Sequence, residues 1–333
     1  MRKSLPAPKY CLQLLWGRIK TKRTKIKEYK MKKQICIISI MLITAASIIS
    51  QEKDFPKLTG PYLGQKPPGK TAEYFAPGII AVPENFDHSA AVFSPDGKEV
   101  FWCTNVNGHT DKRVVGNLRL YTMKIVEGRW SAPMLAPFVK NISVERPVFS
   151  PDGSKLYFEH ESDPHQESDF DIYFVERTGG GWSDPKPLSP LINSPAMERL
   201  HCVTADGSMY FSRDPFTSNE EIFVSRYING EFTEPEKLGK GYNSDDHEAA
   251  ILIAPDEDYM LILHTDAPQH RGVKLSISYK KADGSWSDRI EAPYYAGNGI
   301  ALSPDENYLF LDNEGICWVS TSFINELKPK NLN

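Results

Sequence analysis

Two Glu-Arg dipeptides, Glu145-Arg146 and Glu198-Arg199, stand 53 residues apart, and the pair His247-Glu248 follows with Glu248 a further 50 residues on. A carboxylate can serve as general acid, general base or nucleophile, a guanidinium can clamp an anion, and an imidazole can move a proton near neutrality. Groups so far apart in the chain act together only if a repeated fold delivers them to one place. Two carboxylates brought about 5 Å apart would suit a retaining glycosidase, and a separation of roughly 6.5 to 9.5 Å an inverting one. Glu145, Glu198 and Glu248 are therefore the candidates for an acid-base pair. His88 or His247 could instead abstract a proton in a lyase, with a divalent metal neutralising a substrate carboxylate. His160 and His264, at equivalent places in two repeats, extend the set that would hold such a metal, although no short-range ligand motif accompanies them.

The element that must position these residues is a repeat. One phrase recurs five times: FSPDGKEVFW, FSPDGSKLYF, VTADGSMYF, IAPDEDYMLI and LSPDENYLFL. Their aspartates, Asp96, Asp152, Asp206, Asp256 and Asp305, are spaced by 56, 54, 50 and 49 residues, the scale of one four-stranded propeller blade. Each phrase reads as strand, tight turn, strand, with Pro and Asp setting the turn and β-branched or aromatic residues suiting the strands. Glu257 and Glu306 replace the turn glycine in the last two copies, which predicts altered turns there. A second phrase follows the first four copies, an alternating strand running into a Gly turn and then Trp130, Trp182, Phe232 or Trp286. These four aromatics read as packing anchors between blades. The fifth unit lacks an outer strand. Residues 73 to 81, EYFAPGIIA, resemble one, and would close the ring by joining the two ends of the chain. The expectation is thus an all-β, five-bladed propeller of four-stranded blades, with six blades if residues 52 to 86 conceal a degenerate unit.

In such a ring the starts of the innermost strands and the ends of the second strands meet at one channel mouth. That places His88, Arg146, Arg199, His247 and Asn298 beside His160, Arg213 and His264, the expected ligand-binding residues. Glu145-Arg146 and Glu198-Arg199 also have a structural reading, as pairs tying neighbouring blades through charge-assisted hydrogen bonds.

The SPDG, LYF and DIY elements and the linkers at Asn193 and Asn243 resemble TolB-type propeller repeats, also called WD40-like Pro-Asp repeats, over residues 73 to 321. The resemblance implies an exported bacterial protein with a protein-binding or ligand-binding module, and it brings no catalytic motif. The expected function is accordingly a binding scaffold that recognises a protein partner, peptide or oligosaccharide at the channel mouth. A glycosidase or lyase using the mouth carboxylates and histidines is the alternative.

Composition narrows the classes further. No Gly-x-Ser-x-Gly elbow, phosphate-cradling Gly loop, His-Glu-x-x-His helix or dinucleotide fingerprint occurs in the repeat region. From residue 51 onward 27 cationic residues face 42 acidic ones, a balance of −15 that argues against a nucleic-acid partner. The basic residues concentrate at the start. Residues 1 to 30 read as an over-long beginning or basic tail, and Met31 with its lysines and the apolar run to residue 50 reads as a signal peptide. A linker over 51 to 72, the propeller over 73 to 322 and a tail over 323 to 333 complete the expected organisation. The expected product is a monomer, periplasmic or extracellular, without an integral membrane domain, an uncleaved N-terminal anchor being the alternative. Cys103, Cys202 and Cys317 read as buried thiols rather than a disulfide framework or zinc site.

Overall fold

A computed structural model describes residues 55–82, 85–87, 89–105, 118–139, 142–161, 170–213, 221–239, 242, 248–264, 273–297 and 299–332. Two compact units divide the chain, residues 1–56 and 57–333. The expected signal peptide and basic tail lie outside the described residues.

The second unit is a five-bladed propeller of antiparallel sheets, as the repeat requires. Blade two shows the plan: an inner strand Val144–Phe149, then Lys155–Glu161, Phe170–Thr178 and a short outer strand Lys186–Pro187. Blades three and four repeat it from the inner strands Glu198–Val203 and Glu248–Ile253. Blade one uses Phe86–Asp87 and Val92–Phe93 against Glu99–Asn105. Blade five is completed by Glu73–Tyr74, which pairs with Ile316–Ser320. The N-terminal strand thus closes the ring and removes an unpaired sheet edge. No sixth blade is present among the described residues. The segment before the closing strand carries a short helical turn, Pro61–Gly64, whose Tyr62 packs edge-on against Phe93 and Tyr308.

The turns explain why the repeat is written as it is. In blades one, two, three and five a Ser or Thr hydroxyl donates to the following Asp, at 2.6 to 2.8 Å. The residue after the Asp then takes a left-handed φ, supplied by Gly97, Gly153 and Gly207. Glu257 and Glu306 adopt the same conformation at φ 59 and 56, so the turns expected to change keep their geometry. Glu257 draws compensation from its surroundings, accepting hydrogen bonds from Tyr210, Arg226 and Lys280.

The core lies in the seams. Trp130 packs against Phe93, Trp182 against Phe101, Phe232 against Tyr157, and Trp286 against Tyr242. Only Trp130 among the four is fully buried. After the last strand a short helix, Ser322–Leu327, buries Phe323 and Ile324 against blade four.

Candidate active site

Three inner strands break register near the end at which they begin. The shift falls between Glu145 and Val148 in blade two, between Leu200 and Cys202 in blade three, and between Glu248 and Ala250 in blade four. Such bulges re-aim a side chain out of the alternation of the strand. In blade three the residue at the bulge is His201, buried and facing the channel. In blade two the bulge holds Arg146 at φ 46, a left-handed backbone that a non-glycine residue before a proline adopts only under strain. Strain of this kind costs on the order of 1 to 3 kcal/mol and persists where the surroundings over-determine it.

Those surroundings are a buried charge cluster spanning blades two and three. Glu159, on the second strand of blade two, is wholly buried. Its Oε1 accepts the Leu200 amide of blade three at 2.7 Å and stands 3.6 Å from Arg146 Nε. Its Oε2 accepts no hydrogen bond among the described residues and lies 3.9 Å from Arg199 Nη1. Burial pushes the Glu159 carboxyl up to about 7, against the opposing pull of Arg146 and Arg199. Burial, reinforced by the same two guanidiniums, holds the His201 imidazole well below its ordinary value. Glu145 is also buried, opposite Glu159 in the strand register, and its charge adds to the burial that raises the Cys103 thiol.

The residues expected at the mouth divide into distinct groups. Arg146 and Arg199 do converge, on Glu159. Glu198 pairs instead with Arg213, at 3.0 Å from its Nε, and accepts the Ser194 hydroxyl at 2.6 Å. Burial nonetheless raises Glu198 to about 7, and its Oε2 accepts no hydrogen bond among the described residues. Arg213 also donates to the Ile192 carbonyl at 2.9 Å. His160 is bonded through Nδ1 to the Ser143 carbonyl, and His264 is buried against the Ser276 hydroxyl. His88, His247 and Asn298 lie outside the described residues, as does the side chain of Glu248. Among the described residues no group of three or more His, Cys, Asp or Glu side chains converges to hold a metal ion. His201 is absent from the sequence expectation. No pattern in the sequence marks it: it stands three residues after Glu198, inside a run that reads as plain strand.

No protein-family model matches the chain, and no curated protein matches its sequence. Solved structures with a similar fold include a puromycin-hydrolyzing peptidase of Mycobacterium tuberculosis, 15% identical with a TM-score of 0.40 over 63% of this chain and 30% of that one. Prolyl oligopeptidase B of Galerina marginata is 14% identical, with a TM-score of 0.39 over 68% and 30%. The periplasmic gluconolactonase of Pseudomonas aeruginosa is 15% identical, with a TM-score of 0.37 over 67% and 64%. The chain spans less than a third of the length of the two peptidases and just under two thirds of the lactonase. Likeness at this distance concerns the fold.

The expectation of a non-catalytic scaffold, with a carbohydrate-active enzyme as its alternative, is corrected here. The solved propellers named above are, by their own names, peptidases and a lactonase, and no pure binding module, glycosidase or lyase is among those named. Of the expected acid-base candidates, Glu145 and Glu198 are buried, and Glu198 is engaged by Arg213 and Ser194.

Proposed function

We propose that the chain is a hydrolase acting on a small ester or lactone at the blade two and blade three end of the channel. The observation that carries this reading is Arg146, held in a strained left-handed bulge beside a buried carboxylate whose proton affinity matches neutral pH.

In the proposed reaction Arg146 and Arg199 polarise the substrate carbonyl and stabilise the oxyanion that develops on it. A water oxygen attacks the carbonyl carbon while Glu159, ionised, takes the water proton on Oε2. Collapse of the tetrahedral intermediate breaks the bond to the leaving oxygen, and Glu159 returns the proton to it. His201, kept neutral at the channel wall, orients the water without adding a third positive charge. The Leu200 amide holds the other oxygen of Glu159 in place. The same site lies in a chain that we read as a TolB-type propeller exported to the periplasm or beyond. The Pro-Asp turns and the layout of residues 31 to 50 support that assignment.

A panel of short esters and five- and six-membered lactones tests the reading against the full chain and Arg199→Met. Turnover of at least one member, with kcat/KM lowered tenfold or more in the variant, is expected. Failure to turn over any member would sink it.

A further inference from the structure

Where the inner strands run into their Pro-Asp turns, the channel widens into a cavity of about 330 Å3. Its size falls at the low end of the roughly 300 to 1,000 Å3 usual for small-molecule pockets, and at about twice the ~150 Å3 of an apolar cavity that holds benzene. It opens at the turns, where Pro95, Pro151 and Pro304 are exposed, and reaches in to the buried His201, three residues or about 10 Å deeper than Thr204. Val92, Val148, Val203, Leu252 and Ile300, one from each inner strand, form the wall between.

The polar atoms of this lining are already engaged within the blades. The hydroxyls of Ser150, Thr204 and Ser303 donate to Asp152, Asp206 and Asp305 at 2.6 to 2.8 Å, and the Cys202 sulfur accepts the Ile253 amide at 3.3 Å. At the rim the repeat puts proline, which has no N–H, in four of the five turns. The remaining turn carries Ala205, whose N–H donates to the Pro255 carbonyl of the next blade at 2.9 Å. None of the described residues lining the cavity is Lys or Arg, and its one carboxylate, Glu306, is exposed at the level of the turns.

We infer that this cavity binds a small neutral molecule that is mostly hydrocarbon, such as an unbranched alcohol, with its aliphatic body laid along the five inner-strand side chains. A charged ligand would lose its hydration there with no opposite charge inside the wall to replace it. A sugar or peptide would bring hydroxyls or amides to a wall whose own donors and acceptors are already engaged. Hydrocarbon suits the wall, and each two methylenes it covers should raise affinity roughly tenfold. Arg146, Arg199 and Glu159 are not part of this wall, so the inference stands apart from the hydrolytic reading.

Isothermal titration of the full chain compares 1-hexanol with 1-butanol, hexanoate and hexylammonium. Hexanol is expected to bind at least tenfold tighter than each of the other three. Val203→Phe and Ile300→Phe, which fill the channel, should abolish its binding wherever the variant keeps the wild-type melting temperature. A charged probe that binds as tightly as hexanol, equal affinity for the two alcohols, or hexanol binding that survives both fillings overturns the inference, as does the absence of hexanol binding. Should neither variant fold, the order of the four probes on the wild-type chain decides alone. Ester or lactone turnover is decided separately, since neither its presence nor its absence alters that order.

Discussion

Three buried carboxyls share one property with opposite consequences for stability and chemistry. Burial raises Asp87 to about 6 and Glu159 and Glu198 to about 7. An acid whose folded-state pKa exceeds its unfolded one binds more protons when folded, so its contribution is present at low pH and lost as pH rises through the folded value. These three groups therefore favour the fold near pH 4 to 5 and withdraw that contribution progressively up to about pH 7.5, while His201, kept neutral in the fold, acts in the opposite sense as pH rises toward its ordinary value of about 6.5. For Asp87 alone the shift corresponds to roughly 3 kcal/mol, and Asp87→Asn should flatten that part of the profile. Urea unfolding at pH 4.5, 6 and 7.5 reads the slope. The stability difference between wild type and Asp87→Asn should fall between pH 4.5 and 7.5, and a difference that does not fall would show that Asp87 is ionised in the fold without penalty. Asp305 works in the other direction, held down to about 2 by hydrogen bonds from Ser303 and Tyr62 despite partial burial. Its stabilising effect disappears only below about pH 4, outside the window the other three control.

At the scale of the turns and strands, the same left-handed position is occupied in two ways. Glu306 sits at φ 56 with no cationic side chain among the causes that shift it, and the acidic residues Asp256 and Asp258 raise its carboxyl. Glu306→Gly should stabilise the chain by about 1 kcal/mol through relief of the backbone strain. Glu257→Gly should not, because Glu257 at φ 59 accepts bonds from Tyr210, Arg226 and Lys280 that the glycine would forfeit. Paired thermal melts of the two variants check the contrast, and equal gains would refute it. These turns also show what the sequence made legible. The Pro-Asp phrase has a fixed hydrogen-bond pattern, so five copies at blade spacing were enough to specify five blades. The closing strand was legible because Glu73–Tyr74 completes a sheet that would otherwise lack its edge. The site was less so. Arg146 and Arg199 were found by their place in the repeat, but their common partner Glu159 was legible only as a neighbour of His160. His201 depends on a bulge, and a one-residue register shift leaves no mark in an alternating pattern.

At the scale of the molecule, stability depends on the join between the ends. Phe75 follows the closing strand and is fully buried among Phe93, Phe310 and Trp318, which belong to the first and last blades. A ring closed by so short a strand concentrates its closure in that cluster. Removal of residues 1 to 76 should abolish cooperative unfolding in circular dichroism, whereas retained cooperativity would place the closure elsewhere. The charge cluster draws its geometry from the same ring, since the Leu200 amide of blade three holds a carboxylate of blade two. The most direct test of its chemistry is the pH dependence of ester or lactone hydrolysis by the wild-type chain beside Glu159→Gln. Glutamine keeps the shape and can still accept the Leu200 amide but leaves Arg146 and Arg199 without their shared carboxylate, so activity is compared at a temperature where circular dichroism shows the variant folded. The wild-type kcat/KM should rise through about pH 7 as Glu159 ionises, and the variant should lose at least a hundredfold and show no such rise. A variant that folds and retains wild-type activity and pH profile would contradict the assignment of Glu159 as the base.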